Sequence, residues 1–444
     1  MGRLSRIVAA ALLALAGSTP QALPVAAFDG FGEQRADASY GVGIEFEVDL
    51  SGAAPERLEL LLRTPGDAGW FVVPVEASGG RARHLWDTSL SHLTPNTEVT
   101  YRWRATEAAG ATTASEEATI RYVDDRPGLD WQQRQLGEAT VHWYGGAEGQ
   151  ALRFGELVAQ GVARSEELLG TRLAGPVDVF VYDTRDDFFG ALGPGAREWT
   201  GAAAFDELRT IFMWLGGGSS AYLERAMVHE VAHIVFHDAT TNPYHEPARW
   251  VNEGIATWSE TSSAEGERGI VELEASGGGL FAFEAITEQF PIGERGGRLS
   301  YAQGTTMIDL IVRDHGEAAL ARLAAAYRGG ASDAEALEAA TGMPVDELYA
   351  SFFAEFDVDP PQPIRPEPIP PSNVERPEPG VVDRGGVDPR SGPGSEPSPV
   401  DPSPSEEPAA GDGPGVLVVL AVAAAVTVGA VVVVARRAAR AGPT

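Results

Sequence analysis

The chain contains no cysteine and no lysine. Without cysteine there are no disulfides, no thiolate metal sites and no cysteine nucleophile, so any bound metal must be held by histidine and carboxylate side chains. A cysteine-free chain can still be secreted, so its compartment has to be read from targeting segments. Positive charge is scarce as well. All 33 basic residues are arginine, against 64 acidic ones, and the formal net charge is -31. Such a chain repels the phosphates of nucleic acid, and no basic arm or patch offsets the repulsion, so nucleic acid is excluded as a partner. Internal repeats are missing too.

At 444 residues there is room for two or three domains, each with a real core. Both ends carry targeting signals. Arg3 and Arg6 precede an apolar run at 7–16 and then small residues ending in Val25, Ala26 and Ala27. That order predicts a secretory signal peptide over 1–27, cleaved near Phe28. At the other end, 416–435 is an apolar stretch of 20 residues, which as a helix would be about 30 Å long and match a bilayer's hydrocarbon core. Arg436, Arg437 and Arg440 follow it and acidic residues precede it. This predicts a transmembrane helix over 415–436, a cytoplasmic tail at 437–444, and the bulk of the chain facing outward. Between fold and membrane, residues 360–414 hold 17 of the 31 prolines, mixed with Ser, Glu, Gly and Asp. Such a segment buries too little apolar surface to fold, so 359–414 is expected to be a disordered, self-repelling tether.

The remainder is of α+β class, with β structure first. Val42, Ile44, Phe46 and Val48 alternate with Gly43, Glu45, Glu47 and Asp49, the period of a half-buried strand. Leu58, Leu60 and Leu62 repeat the pattern, as do Val99, Tyr101 and Trp103, with Pro65-Gly66-Asp67 and Pro95-Asn96 as turns. The stretch Leu93-Thr94-Pro95-Asn96-Thr97, followed by Tyr101-Arg102-Trp103, is similar to fibronectin type III domains. The resemblance implies an immunoglobulin-like β-sandwich over 28–127, a spacer or docking module. Residues 128–358 then mix α and β. The spacing predicts a helix over 152–169 stopped by Gly170, strands at 177–182, 200–205 and 210–214, and a long helix capped by Ser219 and Ser220 that ends near His237. Three further helices are expected to close the region. Ser332 and Glu335 have the spacing of a capping box, and Pro344 suits a first turn.

The chemistry is concentrated in His229-Glu230-Val231-Ala232-His233. Histidines at i and i+4 share one helix face, with Cβ atoms about 6 Å apart, so both imidazoles can reach one ion. Glu230 is then close enough to act on a water at that ion without binding it. Leu223, Met227, Val228, Val231, Ile234 and Val235 supply the buried side of the helix. A zinc site needs a third protein ligand, and a further histidine six residues on is ruled out, because that position is Ala239.

Trp250-Val251-Asn252-Glu253-Gly254-Ile255-Ala256 resembles the W-x-N-E-G-x-A helix of gluzincins, the thermolysin and aminopeptidase-N branch of zinc peptidases. Tyr301-Ala302-Gln303-Gly304 looks like their Y-x-K-G segment, with Gln303 in place of the usual Lys. The stretch from about 140 to 356 is similar in layout to peptidase MA-like domains of that clan. The resemblance implies a thermolysin-like zincin domain that holds Zn2+ with His229, His233 and Glu253 and leaves one position for water. It implies Glu230 as general base and Tyr301 as oxyanion donor, acting on a peptide or protein substrate. The run at 200–205 corresponds to the edge strand that pairs with substrate backbone. Clan aminopeptidases keep an acid there to grip a free amine. Gly201-Ala202-Ala203-Ala204 has none, although Asp206 and Glu207 are near, which points away from strict aminopeptidase activity. His237 lies about 12 Å from His229 along the axis, too far to share the ion. His142 reads as a strand residue and Trp250 as packing, while His245 and Glu246 fall in a loop beside the motif. Two other readings stay open: a zincin-fold surface protein that binds peptide without cleaving it, and a structural surface protein with an incidental motif.

Overall fold

The computed structural model describes residues 28–89, 91–194, 201–261, 264–291 and 293–361. The expected signal peptide at 1–27, all but the first three residues of the expected tether at 359–414, and the expected transmembrane helix at 415–436 and tail at 437–444 lie outside the described residues. Among the described residues no helix is long and apolar enough to cross a membrane.

Alternation governs the first part. The strands are β1 (Phe28–Ser39), β2 (Gly43–Gly52), β3 (Arg57–Arg63), β4 (Phe71–Val75), β5 (Ala77–Ser78), β6 (Arg81–Asp87), β7 (Thr97–Thr106), β8 (Thr112–Ala114) and β9 (Ala118–Tyr122). They form two antiparallel sheets, β1-β2-β6-β5 and β4-β3-β7-β8, with β9 also paired to β7. Ile44, Phe46 and Val48 of one sheet share a core with Leu58, Leu60, Leu62, Val99, Tyr101 and Trp103 of the other. Each such side chain contributes roughly 1.5–3 kcal/mol when fully buried. Val42 departs from the expected pattern and is 56% exposed. It sits in the turn between β1 and β2, where Gly41 at φ 72° reverses the chain, so alternation starts only at Gly43.

A third, mixed sheet follows. Its strands are β10 (Gln132–Leu136), β11 (Ala139–Trp143), β12 (Val177–Tyr182), β13 (Ala202–Phe205) and β14 (Thr210–Trp214), in the order β10-β11-β12-β14-β13. The inner strands β11, β12 and β14 run parallel, and β10 and β13 are antiparallel edges. Helix α1 (Glu148–Leu169) makes the crossover from β11 to β12 and ends at Gly170 in the left-handed conformation. Helix α2 (Arg185–Leu192) precedes β13, and a 3-10 turn at Asp206–Leu208 joins β13 to β14. Then come α3 (Ser220–Thr240), α4 (Arg249–Thr261), α5 (Glu265–Ser276), α6 (Glu294–His315), α7 (Ala318–Arg328), α8 (Asp333–Thr341) and α9 (Val345–Ala354).

Val141, Val179, Val181, Ile211 and Met213 on one sheet face pack against α1 and α3 in the largest core. The opposite face carries Tyr144, Phe180, Tyr182 and Phe212, an aromatic layer joined by Phe188 and Trp131. Ser219 caps α3 by accepting from the Tyr222 N–H, and Ser332 and Glu335 close the expected capping box. Pro344 is the N-cap of α9 itself. Six helices follow α3 among the described residues, not three. Gly316, Gly329 and Gly342 end α6, α7 and α8 and keep them separate helices.

Candidate active site

Helix α3 buries Met227, Val231, Ile234 and Val235 completely, which fixes its rotation about its own axis. His229 and His233 then lie one turn apart, with their Nε2 atoms 3.1 Å from each other. Helix α4 packs across α3 and brings Glu253 Oε2 to 3.6 Å from His229 Nε2 and 3.4 Å from His233 Nε2. These residues are 5%, 1% and 2% exposed and form the one group of metal-ligand spacing among the described residues.

Three observations test whether a zinc ion fits. Tetrahedral ligands at about 2.0–2.1 Å from a centre stand about 3.3 Å apart, close to the separations above. Glu253 Oε2 is buried and has no hydrogen-bond partner in the protein, an orphan that a native core rarely leaves. Lastly, His229 Nδ1 lies 3.1 Å from Glu260 Oε1 and His233 Nδ1 lies 2.8 Å from Asn252 Oδ1. These acceptors draw the ring protons to Nδ1, so both Nε2 lone pairs point at one spot and repel unless a cation stands between them. The residues fit.

The electrostatics agree. Burial would push the His229 imidazolium down, but Glu253 and Glu260 outweigh it and raise the group to about 10. At His233 burial is again outweighed, chiefly by Glu253, and the shift is upward. Burial raises the Glu253 carboxyl, yet His229, His233 and Arg249 hold it well below the usual carboxylate range. The Arg249 Nη2 donates to Glu253 Oε1 across one helical turn at 3.0 Å. The pocket is built to hold positive charge.

Glu230 is 1% exposed, and burial raises its carboxyl against the pull of the two histidines. Its Oε2 accepts from the Ala204 N–H at 2.8 Å, which ties it to edge strand β13. Tyr301 reaches the same place from α6, its ring 6.4 Å from His229 and packed edge-on to Phe290. Burial and the neighbouring Glu253 carboxylate hold its ionisation well above the ordinary value, so it stays a donor. Helices α4 and α6 approach unusually closely here. A Cβ on Gly254 would come within 2.7 Å of the Gly304 backbone, and one on Gly304 within 2.6 Å of the Trp250 carbonyl oxygen. Gln303 is not at the site, because its amide is spent on Phe281, accepting from the N–H at 2.8 Å and donating to the C=O at 3.0 Å.

The remaining sequence candidates are elsewhere. His142 lies in β11, 2.8 Å from Asp178 and stacked on Phe180, while Trp250 is fully buried packing. His237 is outside the metal-spaced group, and His245 Nδ1 lies 3.1 Å from the Glu246 carbonyl oxygen in its loop. Sequence reasoning missed Glu260 and Arg249 and gave Asn252 no role. The signal was spacing on α4, since Arg249 and Glu260 stand four residues before and seven after Glu253, on one helix face.

Residues 157–355 match the family model described as the Peptidase MA superfamily. No curated protein matches the chain. Among solved structures, it is similar to an M1 zinc metallopeptidase from Deinococcus radiodurans, at 15% identity over 75% of this chain and 96% of that one, with a TM-score of 0.35. A mutant from the same organism, bound to a Tyr-Ser-Ala substrate, gives 14% identity, coverage of 74% and 93%, and a TM-score of 0.34. A bromine derivative of BhCBM56 gives 10% identity over 20% of this chain and 88% of that one, with a TM-score of 0.17. Scores this low carry no argument about fold or activity. The family match and the buried His, His and Glu cluster do: residues 157–355 match the Peptidase MA superfamily and carry the site of a gluzincin-type zinc metallopeptidase.

Proposed function

We propose that this zinc metallopeptidase hydrolyses peptide bonds outside the cytoplasmic membrane, with His229, His233 and Glu253 as metal ligands, Glu230 as general base and Tyr301 as oxyanion donor. The observation that carries the assignment is the convergence of two Nε2 lone pairs and the orphaned Glu253 Oε2 on one buried point.

When bound there, zinc supplies Lewis-acid polarisation of the scissile carbonyl and acidifies a water. The Ala204 N–H holds Glu230 Oε2, so the other oxygen, Oε1, is free to take the water proton and pass it to the leaving amine. Tyr301 Oη keeps its proton and donates to the oxyanion as it forms. Strand β13 is the rail for the substrate. Trp214 N–H bonds to Gly201 C=O, so by antiparallel alternation Ala202 and Ala204 aim their main-chain groups away from β14. With the Ala204 N–H held by Glu230, the Ala202 N–H and C=O and the Ala204 C=O are the groups that an extended peptide would pair with. The two-sheet region at 28–127 we read as an immunoglobulin-like spacer. The signal segment at 1–27 and the span at 415–436 support a single-pass anchor with an outward catalytic domain.

The test is zinc content and peptide hydrolysis of the full chain beside three variants. Wild type should bind one zinc per chain, and His229→Ala with His233→Ala should bind none. Glu230→Gln should keep its zinc while kcat drops by about 10²–10⁴-fold. Full activity in Glu230→Gln would sink the mechanism, and no metal in wild type after incubation with zinc would sink the site.

A further inference from the structure

The connection between edge strand β13 and β14 is gripped by the N-terminal sheets at two points. The first is Gly66, in the turn between β3 and β4. Thr64-Pro65-Gly66-Asp67 is a tight turn closed by the Asp67 N–H to Thr64 C=O bond, with Gly66 at φ 82°. Asp67 Oδ2 also accepts from both the Thr64 N–H and its hydroxyl, at 2.8 and 2.6 Å. Three residues on, Trp70 is held against the guanidinium groups of Arg63 and Arg102, each 4.5 Å from the ring centroid. This stiff turn ends against Glu207, whose carboxylate occupies the space a Cβ on Gly66 would need. Only glycine leaves that seat open.

The second point is Asn96, at φ 72° just before β7. Its Nδ2 donates to Thr210 Oγ1 at 2.8 Å and to Asp178 Oδ2 at 3.2 Å, while its Oδ1 accepts from Arg121 at 2.8 Å. Thr210 opens β14 and is fully buried. Glu207 and Thr210 therefore flank the reversal that turns β13 into β14. At its centre Arg209 is left-handed at φ 47°, an uncommon conformation for a residue with a side chain. Such a turn keeps its geometry only if its surroundings hold it. The upstream consequence is direct, because Ala204 lies two residues before the turn and its N–H fixes Glu230.

From this we infer that the N-terminal sheets are a working part of the peptidase: Gly66 and Asn96 position the β13–β14 hairpin, and through it the substrate rail and Glu230. Glu207, Gly66 and Asn96 are positioning residues, not catalytic ones. The inference rests on the proposed reading of β13 as the rail and Glu230 as the base.

The test uses the full zinc-loaded chain carrying Glu207→Ala, Gly66→Ala, the Glu207→Ala/Gly66→Ala pair, or Asn96→Gly, which keeps the left-handed backbone but removes the amide. Glu207 is exposed, so Glu207→Ala should fold as wild type does, which its circular dichroism and zinc content check. Hydrogen exchange should accelerate over 202–214 with zinc stoichiometry unchanged. With the fastest-cleaved member of a fluorogenic peptide library, kcat/KM should fall by about tenfold, mostly through KM. Because a Cβ on Gly66 evicts the Glu207 carboxylate, the pair should be no worse than either single change. Unchanged exchange over 202–214 overturns the inference, and so does faster exchange with kcat and KM both as in wild type. Glu230→Gln, run beside them, reads the general-base assignment separately, and its failure leaves the exchange and coupling results to decide the grip on β13.

Discussion

Asn252 and Glu260 bind no metal in the proposed site, yet they decide which nitrogen of each histidine is available for one. Removing either lets its imidazole take the other tautomer or rotate, so Asn252→Ala and Glu260→Ala should each lower zinc affinity by about 10–100-fold, measured by chelator competition. If both bind zinc as wild type does, the tautomer argument is wrong. The protonation of the metal-free site gives a second prediction, with a definite sign. His229 is raised to about 10 in the folded chain by Glu253 and Glu260, against burial. Its proton therefore stabilises the metal-free fold fully below about pH 6.5, and that stability is lost as pH rises towards 10. Zinc must displace the same proton, so its affinity should rise about tenfold per pH unit for each proton expelled. The difference in Tm between loaded and metal-free protein should widen from pH 6.5 to 9, and calorimetry showing it constant or narrowing would contradict this charge balance. At this scale the sequence was readable where periodicity carries chemistry. His229 and His233 must share a face at i and i+4, whatever the fold. Glu260 was overlooked although it stands seven residues after Glu253 on the same face of α4, because an acidic residue on a helix looks the same whether it faces water or an imidazole.

Elements meet at this site through glycine. Gly254 and Gly304 belong to the two downstream motifs, and in sequence they are letters beside Glu253 and after Tyr301. In the fold they are where α4 and α6 touch backbone to backbone, which puts Tyr301 beside Glu253 and His229. A methyl group at either position must push the helices apart. Gly304→Ala should therefore cost roughly 1–3 kcal/mol of stability, read as a lower Tm. It should also lower kcat with zinc retained, since α6 carries Tyr301 but no proposed metal ligand. A variant as stable and as active as wild type would remove the close crossing from the account. Strands and caps were legible at this scale: β11, β12 and β14 alternate or run apolar between turn residues, and Ser219 and Ser332 cap as expected. Gln303 was not, because its bonds to Phe281 join α6 to a segment 22 residues away.

On the scale of the whole molecule, the two halves are riveted through a buried ion pair that no periodicity announces. Asp124, with a fully buried side chain, accepts from Arg126 Nε at 2.7 Å and from the Tyr182 hydroxyl at 3.3 Å. Arg126 in turn donates to the Asp187 carbonyl oxygen at 2.7 Å and stacks on Tyr40, whose hydroxyl donates to the Gly190 carbonyl oxygen. Residues from 40 to 190 thus meet at one point, and their separation along the chain is why the β region and the α+β region were readable singly but not their junction. Removing one partner of such a pair leaves a buried charge without compensation, which costs far more than the intact pair contributes. Arg126→Ala should destabilise the junction by about 3 kcal/mol, more than loss of an exposed ion pair such as Arg83 with Glu47. The wild-type chain should unfold as one cooperative unit, because the N-terminal sheets are tied to β12, β14 and α2 through Asp124, Asn96 and Tyr40. In Arg126→Ala that coupling is weakened, with the Asn96 bonds to Thr210 and Asp178 left in place, and calorimetry should show the transition broaden or split, with only the part for residues 128–358 moving upward on adding zinc. A single transition shifted by less than about 0.5 kcal/mol, the level of a surface pair, would show that the halves are held by apolar packing and that Asp124 is not the rivet.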